Sequence, residues 1–162
     1  MSLPDLIVFD LDFTLWNCGG TYCDCLTPPF RKDGERVVDA TGRHVRLYPD
    51  VPGILEECER MGIRMGLASR TEEPEWARTL VELLGITHRF AGLEIYPGSK
   101  LKHFSALQTT HDILFSQMLF FDDEMRNIRE VGQLGVTTVF VSGGLDERLF
   151  REGLSRFAGP AA

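Results

Sequence analysis

Five short apolar runs, at residues 6–9, 63–68, 93–95, 118–121 and 136–141, are each followed, the first after an irregular insert, by a segment with apolar residues at helical spacing. Such alternation predicts a three-layer α/β fold, with a mostly parallel five-stranded sheet whose right-handed crossovers place helices on both faces. A third observation is length: 162 residues with 43% hydrophobic content suit a single domain over 1–162, and are too few for two ordinary ones.

The first strand is the continuous apolar run Leu6-Ile7-Val8-Phe9, as a strand buried on both faces requires. Residues 17–47 interrupt the alternation with Gly, Pro and charge. A hairpin is expected there around Ala40-Thr41-Gly42-Arg43, with Val37-Val38 and His44-Val45 on its arms, making a minimal flap-type cap over the first strand's end. Asp50-Val51-Pro52 then opens a helix with an Asp cap, Ile54, Leu55, Cys58 and Met61 forming its apolar face before Gly62. After the second strand, Pro74 begins a helix that turns Ala77, Leu80, Val81 and Leu84 inward. The third strand leads through Tyr96-Pro97-Gly98-Ser99-Lys100 to a helix with Leu101, Phe104 and Leu107. The fourth ends in Asp122-Asp123, and Met125, Ile128, Val131 and Leu134 mark the helix behind it. A fifth strand precedes a last helix with Leu145, Leu149, Phe150, Leu154 and Phe157. The whole is Rossmann-like.

In an open sheet of this kind the loops at the carboxyl ends of the strands converge. Asp10, Asp12, Ser69, Lys100, Asp122 and Asp123 all fall at or just after such ends. Asp10 and Asp12 form a pair two residues apart, in which one carboxylate can attack phosphorus and the other can shuttle protons. The four aspartates would crowd negative charge, and charge of that kind calls for a cation or raised pKa values. Hard carboxylate oxygens suit Mg²⁺, which keeps waters and leaves a position for a substrate phosphate. Asp10 and Asp122 are the leading ligands, the backbone carbonyl of Asp12 is a third, and Asp123 is a ligand or its neighbour. Ser69, Arg70 and Lys100 offer a hydroxyl, a fork and a compact charge to a phosphoryl group.

The order Asp10-x-Asp12-x-Thr14, Ser69, Lys100, Asp122-Asp123 resembles the four motifs of the haloacid dehalogenase superfamily of aspartate-nucleophile phosphatases. More narrowly, Phe9-Asp10-Leu11-Asp12-Phe13-Thr14-Leu15-Trp16, Leu47-Tyr48-Pro49, Ala68-Ser69-Arg70-Thr71, Ile95-Tyr96-Pro97-Gly98-Ser99-Lys100 and Phe121-Asp122-Asp123-Glu124 are similar to the eukaryotic magnesium-dependent phosphatase 1 group. The resemblance implies that Asp10 is the nucleophile, forming an aspartyl-phosphate, and Asp12 the general acid and base. It implies Asp10, Asp12, Asp122 and Asp123 around Mg²⁺, with Thr14, Ser69 and Lys100 orienting the phosphate and Arg70 near the substrate; Trp16, next to this loop, reads as core packing or as a substrate platform. It also implies phosphotyrosine-containing proteins or sugar phosphates, among them fructosamine 6-phosphates, as substrates. A receiver-type phosphoacceptor shares these residue types, but its acidic pair comes early and its acceptor follows alone, the reverse of the order here.

Composition narrows the partners. A net charge of -7 and a pI near 5.1 argue against nucleic acid. No apolar run nears the ~20 residues of a membrane span, and the N-terminus has no basic stretch of the secretory kind, so a cytoplasmic protein without a membrane partner is expected. Cys18, Cys23 and Cys25 lack the paired spacing of a zinc site, and reduced loop thiols near the site are expected. His44, His88, His103 and His111 are scattered and read as surface or packing residues. Asn127 shares a helix face with Asp123.

Overall fold

The computed structural model describes residues 2–159. In chain order the elements are β1 (Leu6–Phe9), β2 (Trp16–Asn17), β3 (Arg31–Asp33), β4 (Arg36–Val38), β5 (His44–Leu47), α1 (Val51–Arg60), β6 (Arg64–Ser69), α2 (Pro74–Leu83), β7 (Gly92–Ile95), α3 (Lys100–His111), β8 (Met118–Asp122), α4 (Met125–Gly132), β9 (Thr137–Phe140) and α5 (Glu147–Ala158). Five strands form one parallel sheet in the order β7-β6-β1-β8-β9. β1 is central, pairing Leu6 with Arg64 on one side and Met118 on the other. The sequence-based fold class holds, and all five strands are parallel.

Side chains along β1 alternate between two cores. Ile7 and Phe9 join the apolar faces of α1, α2 and α5, whereas Leu6 and Val8 join Phe104 and Leu107 of α3 and Val131 of α4. All four are fully buried, each contributing roughly 1.5–3 kcal/mol of apolar burial. Among the described residues no helix is long and apolar enough to cross a membrane.

The expected hairpin is present, with Val37 opposite Val45 and Val38 opposite His44. It is part of something larger: β2 and β3 extend it to a four-stranded antiparallel sheet, β2-β5-β4-β3. Both added strands are short, and β3 is wholly exposed, so neither carries an apolar pattern. Asp39 organises the turn. One of its oxygens accepts from the Thr41 hydroxyl and the backbone N–H groups of Thr41 and Arg43, the other from Thr27 N–H at 3.0 Å. The insert is anchored to the main body where Phe30 packs edge-on against Trp76 of α2 and the Cys23 thiol donates to the Thr71 hydroxyl.

Two local expectations change. Asp50 occupies the N-cap position of α1, but its backbone is helical and its side chain caps nothing in that helix. The carboxylate accepts instead from Glu147 N–H at 2.9 Å, tying the start of α1 to that of α5. Leu101, expected with Phe104 and Leu107, is exposed, because α3 turns Lys100 and His103 inward.

Burial works against the Asp39 carboxylate, but the Thr41 hydroxyl and the Thr27, Arg43 and Thr41 N–H groups overrule it and hold its pKa at about 2. Because the folded value is depressed, the stabilisation is present above the ordinary value of 3.8 and is lost as pH falls toward 2. Asp39→Ala is expected to destabilise the fold by about 2 kcal/mol at neutral pH. Denaturant titrations at pH 7 and near pH 2 check this; a difference between variant and wild type that does not shrink in acid would contradict it.

Candidate active site

Apolar packing carries β1, β6 and β8 to one edge of the sheet and leaves their polar ends there. Asp10 leaves β1 with its N–H donating to Phe121 O of β8 at 3.1 Å, which fixes its backbone against the strand carrying Asp122. Lys100, the first residue of α3, lies under both carboxylates, 1% exposed. Its ammonium donates to Asp10 Oδ1 at 2.9 Å, to Asp122 Oδ2 at 2.9 Å and to the carbonyl of Ala68 on β6. Asn127 of α4 donates to the same Asp122 oxygen at 3.0 Å and accepts from Arg70 at 3.0 Å. The other Asp122 oxygen accepts from Glu124 N–H at 2.8 Å. A continuous polar network thus runs from Arg70 through Asn127, Asp122 and Lys100 to Asp10.

The electrostatics follow from burial. Asp10 is pushed up to about 7 chiefly by desolvation, which the Lys100 charge opposes and the neighbouring Asp123 carboxyl reinforces. Asp122 rises to about 6 through burial and the Asp10 charge, against the pull of Lys100. Asp123 also rises to about 6, through burial first, a hydrogen bond with Asp10 lowering it and Asp122 and Glu124 raising it. For Lys100, burial disfavours the charge, but Asp10 and Asp122 outweigh it and its pKa is raised.

One oxygen each of Asp10, Asp122 and Asp123 lies within 4.8 Å of the others. Three hard oxygens, two of them on carboxylates that share a single ammonium, fit a small divalent cation of the magnesium kind. From Asp12 the expected ligand is the backbone carbonyl, and its carboxylate lies outside this trio. Its Oδ1 is taken by the Trp16 indole N–H at 2.8 Å, Cys23 N–H at 2.9 Å and the Cys18 thiol at 3.8 Å. Burial raises its pKa, and the Trp16 and Cys23 hydrogen bonds hold part of that rise back.

A cavity of about 320 Å³ opens over these groups, with Asp10, Asp12, Ser69, Arg70, Lys100 and Asp123 in its wall. Six residues predicted from sequence therefore meet at one surface. Thr14 and Trp16, expected to contact phosphate or substrate, do not reach it. Both are fully buried and outside the lining. The cause is the turn after β1: Phe13 adopts a left-handed φ of 62°, and the N–H groups of Thr14, Leu15 and Trp16 all return to Leu11 O. This folds each side chain back onto the carboxylate four residues earlier, so that the Thr14 hydroxyl donates to Asp10 Oδ2 at 3.2 Å as Trp16 does to Asp12.

Other wall residues escaped the sequence reading. Tyr22, Asp24, Glu72, Glu124 and Arg126 stand around the mouth. Tyr22 is half exposed and packs edge-on against Phe13, while Arg126 pairs with Glu124 at 2.8 Å. They lie in loops and a first helical turn, where no periodic pattern singles them out. Cys18, Cys23 and Cys58 are buried free thiols and Cys25 is exposed. Desolvation raises the first two well above the ordinary thiol value, so beside Asp12 they remain neutral.

The geometry has counterparts. A family profile described as acid phosphatase matches residues 2–159. Human magnesium-dependent phosphatase 1 is 47% identical over 158 residues, covering 96% of this chain and 88% of that protein. A HAD-like hydrolase superfamily protein of Schizosaccharomyces pombe is 34% identical over 147 residues, covering 85% of each. A HAD-superfamily hydrolase from Ehrlichia chaffeensis superposes with a TM-score of 0.68 over 98% of both chains at 13% identity, a likeness of fold. With nearly every residue matched by the profile, and near-half identity to a relative of similar length, the chain belongs to the acid phosphatase family, among the relatives of magnesium-dependent phosphatase 1 in the haloacid dehalogenase superfamily.

Proposed function

We propose that the protein is a magnesium-dependent phosphomonoester hydrolase that works through an aspartyl-phosphate on Asp10. The observation that carries this is the unequal holding of two carboxyls in one cavity. Asp10 is bound at both oxygens, by Lys100 and Thr14, and is aimed but not free to turn. Asp12 is anchored through Oδ1, while its other oxygen has no protein partner among the described residues. Asp10 attacks the phosphorus and the bond to the leaving oxygen breaks, that oxygen taking a proton from the Asp12 carboxyl. Water then attacks the aspartyl-phosphate and gives its proton to Asp12, releasing phosphate and restoring both residues. Burial moves the Asp12 pKa upward, the direction that favours the protonated form a general acid needs. Magnesium, when bound by Asp10, Asp122 and Asp123, supplies charge compensation and orients a phosphoryl oxygen. Ser69 and Lys100 face the remaining phosphoryl oxygens, and Arg70 is held by Asn127 at the edge. In this reading the substrates are phosphotyrosine in proteins or sugar phosphates such as fructosamine 6-phosphates, reached through the mouth beside Tyr22.

Phosphate release from phosphotyrosine peptides, para-nitrophenyl phosphate and phosphorylated sugars, each with Mg²⁺ and with EDTA, tests the proposal. Turnover that requires Mg²⁺ is expected; stable labelling of Asp10 without turnover would instead mark a phosphoacceptor of the signalling type. Asp10→Asn is expected to abolish both turnover and covalent labelling, and Asp12→Asn to cut turnover severely.

Trp16→Phe keeps an aromatic ring but removes the indole N–H. Its kcat is expected to fall on the order of tenfold with KM little changed, since the bond lost orients Asp12 and not the substrate. An unchanged kcat would remove Trp16 from the mechanism. Magnesium affinity is a further check. With the three ligand carboxyls raised to about 6 and 7, the cation competes with protons, so calorimetric affinity should weaken as pH falls from 7 to 6, with protons released on binding. An affinity flat across that interval would argue against this ligand set.

A further inference from the structure

Ser69 and Lys100 approach the phosphoryl group from different elements, the end of β6 and the start of α3, so their spacing has to be set from behind. His103 lies on α3 one turn beyond Lys100 and is fully buried. Its Nε2 is 2.8 Å from the carbonyl oxygen of Ser69 and 2.8 Å from that of Tyr96, and its Nδ1 is 3.0 Å from that of Ser99. The ring stacks on Tyr96, with centroids 4.2 Å apart and planes 16° from parallel. Carbonyl oxygens only accept, so the ring must donate. The two acceptors at Nε2 place a proton there, and a second proton on Nδ1 would serve the Ser99 carbonyl. Burial lowers the pKa of the imidazole, with Lys100 acting in the same direction against the carbonyls.

An apolar side chain would fill this space without the cost of desolvating an imidazole. What an apolar residue lacks is the bond from α3 to the end of β6. Ser69 O already accepts from Tyr96 N–H at 3.1 Å, and the Nε2–H joins that junction from below. We infer that His103 is a positioning residue for phosphoryl binding: by tying the carbonyls of Ser69 and Tyr96 to α3, it fixes the Ser69 hydroxyl relative to the Lys100 ammonium. The inference rests on the phosphatase reading above and adds to it a residue that touches neither substrate nor metal.

Three substitutions separate this role from packing. His103→Phe keeps an aromatic ring for the stack, with somewhat more volume, and loses the donor; His103→Gln places an amide N–H near the Nε2 position; His103→Asn places one near Nδ1. The readouts are KM and kcat for para-nitrophenyl phosphate with Mg²⁺, the affinity for inorganic phosphate by calorimetry, and the melting temperature. His103→Phe is expected to weaken phosphate affinity and raise KM by about tenfold, because a small displacement of an orienting group carries penalties of this order. His103→Gln is expected to restore most of both, and His103→Asn little. Unchanged KM and phosphate affinity in His103→Phe would overturn the inference, as would Gln and Asn variants of equal melting temperature that bind phosphate equally. A wild-type protein that binds phosphate but shows no Mg²⁺-dependent turnover would contradict the phosphatase reading alone, since the phosphate affinities still report on His103.

Discussion

The ammonium of Lys100 is the interaction on which the rest of the site depends. It bonds the carboxylate that follows β1, a backbone carbonyl of β6 and the carboxylate that ends β8, so one side chain fastens three adjacent parallel strands at their carboxyl edge. Removing such charges from water costs several kcal/mol per ion, recovered only with close geometry and further hydrogen bonds. Thr14, Asn127 and the Glu124 N–H supply those bonds. The balance still leaves two carboxylates on one ammonium with Asp123 beside them, and burial first, then the neighbouring carboxylates, raises the pKa of all three aspartates. A site built this way prefers a second cation, and the phosphoryl group that follows the cation is negative in turn.

Two carboxyls two residues apart acquire different hydrogen-bond partners through the turn that separates them. Phe13 crosses into the left-handed region, a conformation that costs a bulky residue free energy, and the chain doubles back so that Thr14 and Trp16 lie beneath Asp10 and Asp12. A hydroxyl aims the first carboxylate and an indole N–H turns the second. The antiparallel insert then contributes Cys23 N–H to Asp12, so the flap that borders the cavity is also bonded to a carboxylate within it.

Much of this was legible in the sequence because hydrophobic periodicity and strand ends are strong signals. The five strands of the main sheet and the convergence of Asp10, Asp12, Ser69, Lys100 and Asp123 at one cavity follow from them. Inside the site the same signal inverts. On α3 the apolar Leu101 faces out while Lys100 and His103 face in, and on α4 Met125 is exposed while Asn127 is buried. Helices that open at the site spend their first inward positions on polar partners, which periodicity cannot reveal. Thr14 and Trp16 were read as substrate contacts because i,i+4 return through a left-handed residue is not visible in residue types. β3 and the part Asp39 plays in the expected hairpin turn are not legible, because an exposed three-residue strand and a hydrogen-bonding Asp leave no apolar trace.

The most direct test of the central claim is the stability of Lys100→Met as a function of pH, by chemical denaturation without added metal. The substitution keeps the buried stem and removes the charge, leaving Asp10 and Asp122 uncompensated. A loss of about 3–5 kcal/mol relative to wild type is expected at pH 7.5, shrinking toward pH 5 as the two carboxyls, raised further without Lys100, take up protons. A variant as stable as wild type at both pH values would show that the ammonium does not hold this edge of the sheet together.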